Sequence, residues 1–389
     1  MIKVSKIKDR KTLKVEISRL LQEFSFKNIQ DVFIKPNLGG REPVIPGENT
    51  SIEFMWNLCL SLKEFGTKKI IIGHDSLLNF GRDKCGFEDI VKASNYDRLS
   101  QIEGVALCNT GKVETCEKKA GAISFKIPKM IYDLFYINVA ALKTHMETSV
   151  SLTLKNQMGL ISSKNRMECH KYGLHDHIGQ LATVLRPNLN MIDGLVAMQG
   201  NGPHHGTPLK CDLILVGNDM VEIDAIATTI MGFDYLKTKH LTIAHDRGVG
   251  TYPSVDIVAE AREKKFTFKC PQSKKVVGRT FTVWPTTSCS GCIFALNRAK
   301  QMAFAGWNLK TLFQFLKLVF LKQTNIVIGT VEGSDFKEMM EKKNLFVFGD
   351  CTKKFVAQMA PQRFLPGCPP SPEKILNFLT EQCSGRKRK

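Results

Sequence analysis

The chain lacks a hydrophobic run long enough to form a transmembrane helix. Such a helix needs about 20 consecutive apolar residues. The most apolar stretch, AFAGWNLKTLFQFLKLVFLKQ at residues 303–323, is interrupted by Lys310 and Lys317. These lysines are seven residues apart and therefore lie near one face of a helix, so we predict an amphipathic helix that packs on the protein rather than on a membrane.

The first residues, MIKVSKIKDRKTLKVEI, also lack the apolar core of a secretory signal. We therefore expect a cytoplasmic protein without a transmembrane segment. Since no such signal directs the chain to an oxidising compartment, we do not expect its twelve cysteines to form a framework of disulfides.

Several recognition signatures are absent as well. The sequence contains no Walker or G-x-G-x-x-G fingerprint, although a flavin or another organic redox cofactor can bind without one. It shows no strong nucleic-acid signal, since its basic residues are not interleaved with aromatic ones. Two explanations of the net charge of +18 remain open. One is a lysine-rich solvated surface, and the other is an anionic partner.

The order of strand-like and helix-like stretches predicts the α/β class. DVFIKPNLG, KKIIIGHDS, DLFYINVAALK and CDLILVGND read as strands, and TSIEFMWNLCLSLKEFG and EIDAIATTIMGF read as helices. This alternation favours a parallel sheet with helices on both faces. A smaller βαβ pattern, NIVIGTV, DFKEMMEKK and LFVFGD, follows a basic, proline-interrupted segment. We predict a large α/β domain at residues 1–265 and a C-terminal domain at residues 266–389.

Four cysteines follow predicted loops of the C-terminal domain. Cys289 and Cys292 form a C-x-x-C pair, Cys351 follows a strand, and Cys368 stands between a glycine and two prolines. Loops at the ends of parallel strands converge on one edge, so three loops could bring four thiolates together. A zinc ion, a [4Fe–4S] cluster or four unrelated buried cysteines all remain open on this pattern.

The segments SCSGC, GDC and GCPPSPEKIL resemble the proximal-cluster motif of nickel–iron hydrogenase small subunits and of the related small subunit of respiratory complex I. This resemblance implies a [4Fe–4S] cluster bound by the four cysteines. In that reading Gly367 lets the backbone approach the cluster, and Pro369 and Pro370 stiffen the loop.

Polar residues at the predicted strand ends form the second set of candidates. Ligands of open α/β sheets bind at the carboxyl ends of the strands. Lys143, His145 and Lys155 are the predicted catalytic residues, because lysine can hold an anionic group and histidine can transfer protons near neutral pH. The predicted substrate-binding residues are Lys35, Asn37, Asn156, Gly202, His204 and Asp219. Taken singly, each could instead be a surface lysine or a satisfied polar residue.

The histidines leave a further possibility open. His170, His175 and His177 occur in one short stretch, and His204 and His205 in the turn GNGPHHG. Such histidines could bind a metal ion, and the glycine-rich turn could hold a phosphate.

The segments IKPNLG, NVAALKTH, TLKNQMGLI, IDGLVAMQGNGP, LVGND and EIDAIATTIMG resemble the domain-of-unknown-function 362 family over roughly residues 30–250. Members of that family often carry an iron–sulfur module, commonly of the ferredoxin type. This chain departs from the family there, since its cysteines follow the hydrogenase-like pattern. The resemblance implies no particular reaction.

Together these features predict a reductase-type enzyme in which a C-terminal [4Fe–4S] cluster feeds single electrons to a small anionic substrate or cofactor. An acidic electron donor such as ferredoxin would suit the basic charge. Two alternatives remain. One is an electron-transfer or partner-binding iron–sulfur protein without its own substrate. The other is a non-redox isomerase or lyase that depends on a cluster or a metal ion.

Overall fold

The fold was examined in a computed structural model of the 389-residue chain. The structure describes all residues except 40–42, 76–85, 122, 163–164, 167, 170–172, 204, 272–274, 277–280, 286–291, 293–294, 297–298, 301, 304–312, 314–315, 318–322, 329–343, 353–362, 368 and 385–389. It does not describe the side chains of residues 205, 275–276, 281, 284–285, 351 and 382–384. The described residues form two compact units, with the boundary between residues 271 and 272. The sequence had suggested a boundary between residues 265 and 266.

Ten strands and eight α-helices of the first unit have bounds that the structure describes. The strands are β1 (Ile2–Lys6), β2 (Asp31–Pro36), β3 (Lys69–His74), β4 (Val105–Asn109), β5 (Thr115–Ala120), β6 (Ile123–Pro128), β7 (Phe135–His145), β8 (Ser149–Ser151), β9 (Leu189–Asn201) and β10 (His205–Gly217). The helices are α1 (Leu13–Glu23), α2 (Ile52–Glu64), α3 (Phe87–Ala93), α4 (Thr153–Asn156), α5 (Leu174–Val184), α6 (Met220–Ile230), α7 (Lys239–Asp246) and α8 (Val255–Glu263).

The large sheet has the strand order β1-β10-β9-β7-β2-β3-β4, and β8 pairs with β7 beside this path. Strands β9, β7, β2, β3 and β4 are parallel, whereas β10 and β1 run antiparallel to their neighbours. The predicted α/β class with a mainly parallel sheet is therefore confirmed. The prediction was wrong for strand β10, which follows β9 directly and pairs with it as an antiparallel hairpin.

Helices cover both faces of this sheet. The side chains of strand β2 alternate between the two faces. Val32 and Ile34 pack in one core with α1 and α2, whereas Phe33 packs in a second core with α5 and α7. Burying residues of this size contributes about 1.5–3 kcal/mol each. Strand β2 also has a partner strand on each side, β7 and β3, and its last residues, including Lys35, are buried.

The second unit is built on a five-stranded sheet with the order β11-β12-β13-β14-β15. Its strands are β11 (Lys275–Val276), β12 (Phe281–Pro285), β13 (Thr324–Ile328), β14 (Leu345–Phe348) and β15 (Phe364–Leu365), and a helix of this unit, α9, spans Pro372–Ser384. Strands β12 to β15 are parallel, which confirms a separate small parallel sheet. The predicted helix at 335–343 and most of the predicted amphipathic helix at 303–323 lie outside the described residues.

Among the helices that the structure describes, none combines the length and the apolar character that crossing a membrane requires.

Candidate functional site

The carboxyl ends of β2 and β7 carry two buried lysines. Lys35 precedes the last residue of β2, and Lys143 lies near the end of β7, with side chains that are 1 % and 2 % exposed. The two strands pair in parallel up to Pro36 and Val139, and β7 then continues beyond β2. The predicted strand ends therefore do meet at one edge of the sheet.

Two asparagines connect these lysines. Lys143 Nζ donates to Asn37 Oδ1 at 2.7 Å and to the backbone oxygen of Glu48 at 2.6 Å. Asn37 Nδ2 donates to Asn156 Oδ1 at 2.9 Å, and Lys35 Nζ donates to the same oxygen at 3.3 Å. We call Lys35, Asn37, Lys143 and Asn156 the amine–amide cluster. The structure thus brings together four of the residues that the sequence predicted as catalytic or substrate-binding.

Burial changes the protonation of both amines. Burial lowers the pKa of Lys143 to about 7, with Glu48 opposing the shift and Lys155 adding to it. The pKa of Lys35 lies well below its ordinary value, because the amine is buried and because Arg166 and Lys143 are nearby cations. Lys143 therefore exchanges a proton readily near neutral pH, which is the property required of a general acid or base.

A second buried group follows the end of β3. Arg166 Nη2 donates to Asp75 Oδ2 at 2.7 Å, and His74 Nδ1 donates to the backbone oxygen of Asp75. A Cβ atom on Gly159 would lie 2.8 Å from Lys35 Nζ and 3.2 Å from His74 Nε2. Both nitrogens therefore border the space beside this glycine, and burial keeps the His74 ring neutral by lowering its pKa well below the usual value.

Asp75, Arg166 and Gly159 were not among the predicted site residues. Asp75 directly follows the strand KKIIIGH, so the rule that selected the other strand-end residues could have found it. Arg166 and Gly159 lie at no strand end. Their position near Lys35 follows from the tertiary structure alone.

The other predicted catalytic residues lie near Lys143. His145 ends β7, and its Nδ1 accepts backbone N–H groups of Glu147 at 3.1 Å and Thr148 at 3.4 Å, which stabilises the turn into β8. Lys155 is a half-buried residue of α4, and burial lowers its pKa to about 8 although Glu147 opposes the shift. The catalytic role of either residue stays a prediction.

An aspartate positions the short helix that carries Lys155 and Asn156. Asp224, in α6, accepts hydrogen bonds from the backbone N–H groups of Thr153 and Leu154, both at 2.9 Å. It also accepts a hydrogen bond from the Thr153 hydroxyl at 2.6 Å. These contacts satisfy the first N–H groups of α4, which is the structural role that helix ends require. Burial raises the pKa of Asp224 to about 7.

The remaining predicted substrate-binding residues are distributed differently. A Cβ atom on Gly202 would lie 2.2 Å from the backbone oxygen of Thr144, so glycine is needed where this turn approaches the end of β7. His204 lies outside the described residues. Asp219 lies at the opposite edge of the sheet, because β10 runs antiparallel to β9. It caps α6 by accepting the N–H groups of Val221 and Glu222.

The cysteine-bearing segments belong to the second unit. Cys289, Cys368 and the side chain of Cys351 lie outside the described residues, whereas Cys292 is buried in the core of this unit. Strands β12, β14 and β15, which precede the three segments, are all parallel, so their carboxyl ends lie at one edge. Among the described side chains, no three His, Cys, Asp or Glu residues come together as metal ligands.

Two of these segments are hydrogen-bonded to each other. The backbone N–H of Asp350 donates to the backbone oxygen of Gly367 at 3.0 Å, and the N–H of Gly367 donates to Asp350 Oδ1 at 3.2 Å. Gly367 has φ +136°, and a Cβ atom there would lie 2.8 Å from Pro370 Cα. The loop therefore requires glycine beside Cys368.

A family model described as "Domain of unknown function (DUF362)" matches residues 32–229, just over half of the chain. The chain belongs to this family. The matched segment contains the whole amine–amide cluster together with Asp75 and Arg166. The family description assigns no reaction.

A curated relative is similar over a shorter segment. It is the Thylakoid-associated protein sll1697 from Synechocystis sp., which is 30 % identical over 104 residues. The match covers 25 % of this chain and 32 % of the relative, so the chain spans about a third of that protein's length. No solved structure matches the chain.

Proposed function

We propose that this protein is an iron–sulfur reductase. Its first unit would bind a small anionic substrate or cofactor at the amine–amide cluster. Its second unit would hold a [4Fe–4S] cluster through Cys289, Cys292, Cys351 and Cys368. The observation that carries the proposal is the amine–amide cluster itself, in which buried amines with lowered pKa values meet buried amides where ligands of parallel sheets bind.

The surplus of buried positive charge favours an anionic ligand. Lys35 experiences the charges of both Arg166 and Lys143, which Asp75 opposes, and Glu48 is the carboxylate that acts on Lys143. Burial makes an ammonium group costly unless an opposite charge is near. A bound carboxylate or phosphate would supply that charge and raise the pKa values of the lysines towards their ordinary range.

Lys143 is the residue best suited to move a proton. Its Nζ is held by Asn37 and by the backbone of Glu48, and its pKa of about 7 allows both protonation states at neutral pH. A two-electron reduction that leaves the charge of the substrate unchanged consumes two protons. Lys143 would donate one from its ammonium form, and solvent would supply the second and reprotonate Lys143.

The second unit has features that suit thiolate ligation. Cysteine segments follow three parallel strands that end at one edge, and Gly367 permits a close backbone turn beside Cys368. A bound [4Fe–4S] cluster would accept and release one electron at a time. An acidic donor such as ferredoxin suits the net charge of +18, and the reducing cytoplasm suits thiolate ligands.

The direct test is anaerobic purification followed by iron and sulfide analysis, with EPR spectra before and after dithionite. We expect about four irons and four sulfides per chain and a signal that appears on reduction. In the Cys368→Ala protein we expect the iron and sulfide to be lost.

The matched control is Cys270→Ala, since Cys270 is exposed and belongs to no predicted ligand set. This protein should keep its full iron content. Zinc without sulfide in the wild type, or unchanged iron in Cys368→Ala, would refute the cluster assignment.

A further inference from the structure

Two histidines outside the amine–amide cluster lie side by side in the first unit. His175 is the second residue of α5, and His240 is the second residue of α7. Their ring centroids are 5.5 Å apart, with the ring planes inclined by 28°. One turn further along, a Cβ atom on Gly179 would lie 2.5 Å from Ile243 Cγ2. The two helices therefore run parallel in close contact, and their N-termini lie at the same end.

Neither of these N-termini is capped by a side chain among the described residues. Gly173 precedes α5 and has no side chain to offer, and Thr238 precedes α7 without capping it. The Thr238 hydroxyl instead donates to the backbone oxygen of Asp234 at 3.4 Å. Uncapped first-turn N–H groups and the helix dipole both attract an anion.

The ring of His240 supplies an independent indication of a ligand. His240 is 0 % exposed, and within the described part of the chain neither of its ring nitrogens has a hydrogen-bond partner. His175 donates to the backbone oxygen of Glu147, but its buried Nδ1 likewise has no partner among the described groups. A neutral imidazole has one donor and one acceptor nitrogen, and buried polar groups of this kind are normally satisfied.

A lysine connects the histidine pair with the amine–amide cluster. The charge of Lys155 lowers the pKa of both Lys143 and His240. The charged groups that act on His175 are Glu147, Lys239 and Asp176. No third His, Cys, Asp or Glu joins the two histidines as a metal ligand among the described side chains. The nearby lysine and the helix ends instead favour an anion.

We propose that the first turns of α5 and α7, together with His175, His240 and Lys155, bind a phosphate group of the substrate. Phosphate oxygens would accept hydrogen bonds from Lys155 and from the N–H of His240. A hydrogen phosphate group also carries a hydroxyl that can donate to Nδ1 of His175, which a carboxylate lacks. The inference rests on the proposed function in one respect, because Lys143 would act on another part of the same molecule.

The family match covers only part of this site. It includes Lys155, His175 and α5 but ends at residue 229, so that His240 and α7 lie beyond it. The phosphate site would define the substrate class of this chain.

The test uses inorganic phosphate as the probe and the full-length protein. Isothermal titration calorimetry should give saturable binding of one phosphate per chain. Long-range proton–nitrogen NMR spectra should show shifts of the His240 and His175 ring nitrogens. Lys155→Met and His240→Gln should each weaken phosphate binding by about tenfold or more, as expected for the loss of a charge-assisted hydrogen bond.

His245→Gln is the matched control on the same helix. His245 stacks on Tyr252 with ring centroids 3.9 Å apart, away from the proposed site, so phosphate affinity should be unchanged. If His240→Gln does not fold, His175→Gln and Lys155→Met decide the question. Absence of saturable binding, or full affinity in the Lys155 and histidine variants, would overturn the phosphate site.

The outcome is separable from that of the proposed function. Phosphate binding is measured without electron transfer, so it can succeed in a protein that contains no iron and sulfide. Conversely, a reducible cluster that reacts only with acceptors lacking phosphate, in a protein that does not bind inorganic phosphate, would remove this inference and leave the reductase proposal standing.

Discussion

The two edges of the large sheet use polar side chains for different purposes. At the carboxyl edge of β2 and β7, the side chains of Lys35, Lys143, Asn37 and Asn156 bond to one another, and also to backbone oxygens and to Asn138. At the opposite edge Asp219 is satisfied by backbone N–H groups of α6 and of Thr251. Side chains that bond to each other can rearrange around a ligand, whereas one that caps a helix is already committed to the fold.

The two edges also differ in how deeply their polar side chains are buried. Lys143 is 2 % exposed and its pKa is lowered to about 7, whereas Asp219 is half-buried at a helix end. A buried amine that gains or loses a proton near pH 7 is suited to catalysis, and perturbed groups of this kind concentrate at functional sites. The difference between the two edges can be tested directly.

The largest effect is expected from Lys143→Met. The variant keeps the length of the side chain but removes the amine, so it should slow oxidation of the reduced protein by the best acceptor from a panel of small carboxylates and phosphates. The expected loss is about 100-fold or more, the usual contribution of a general acid. Iron content should be unchanged. A parallel loss of iron would contradict the assignment of the substrate to the first unit and of the iron–sulfur cluster to the second.

A smaller effect is expected in the pH dependence of stability. The folded-state pKa of Lys143 is about 7, below the ordinary lysine value of 10.5. Between these values the unfolded chain binds more protons, so this residue makes the free energy of unfolding rise as the pH increases from about 7 towards 10.5. The slope cannot exceed about 1.4 kcal/mol per pH unit for one group.

Urea unfolding at several pH values measures this slope. The Lys143→Met protein should show a shallower rise than the wild type over the same range. Identical slopes in the two proteins would mean that the amine is not buried in the way described.

The smallest effect is expected from Asp219→Ala at the opposite edge. Loss of a helix cap should lower the free energy of unfolding by about 1 kcal/mol, within a usual range of about 0.5–2 kcal/mol. The rate of reoxidation by the same acceptor should stay at the wild-type value once the protein is folded. A large loss of activity without a loss of stability would place Asp219 in the substrate site after all.

The sequence was sufficient to locate the buried strands that carry Lys35 and Lys143. Uninterrupted apolar runs flanked by polar residues indicated strands inside a parallel sheet, and the rule for strand ends then selected Asn37 with the lysines. Asn156 was predicted because it follows closely in the same polar-interrupted stretch. The sequence was not sufficient for β9, which was not among the predicted strands. With β9 missing, β10 was taken as another parallel strand.

The hairpin between β9 and β10 shows the physical reason. A turn of a few residues can join only antiparallel strands, since parallel neighbours need a crossover. The stretch GNGPHHG contains that turn, and its glycines served equally well as signs of a phosphate-binding loop. Reading it as a hairpin required knowing that strand β9 came directly before it.

Local patterns therefore determined the α/β class, the main strands and the residue types at their ends, because hydrophobic periodicity and strand-end chemistry act over short stretches of chain. Only the tertiary structure decided which of those ends meet. Strand direction, the approach of Arg166 to Asp75 and the pairing of His175 with His240 depend on contacts between residues far apart in sequence, and the lowered lysine pKa values exist only where those contacts exclude water.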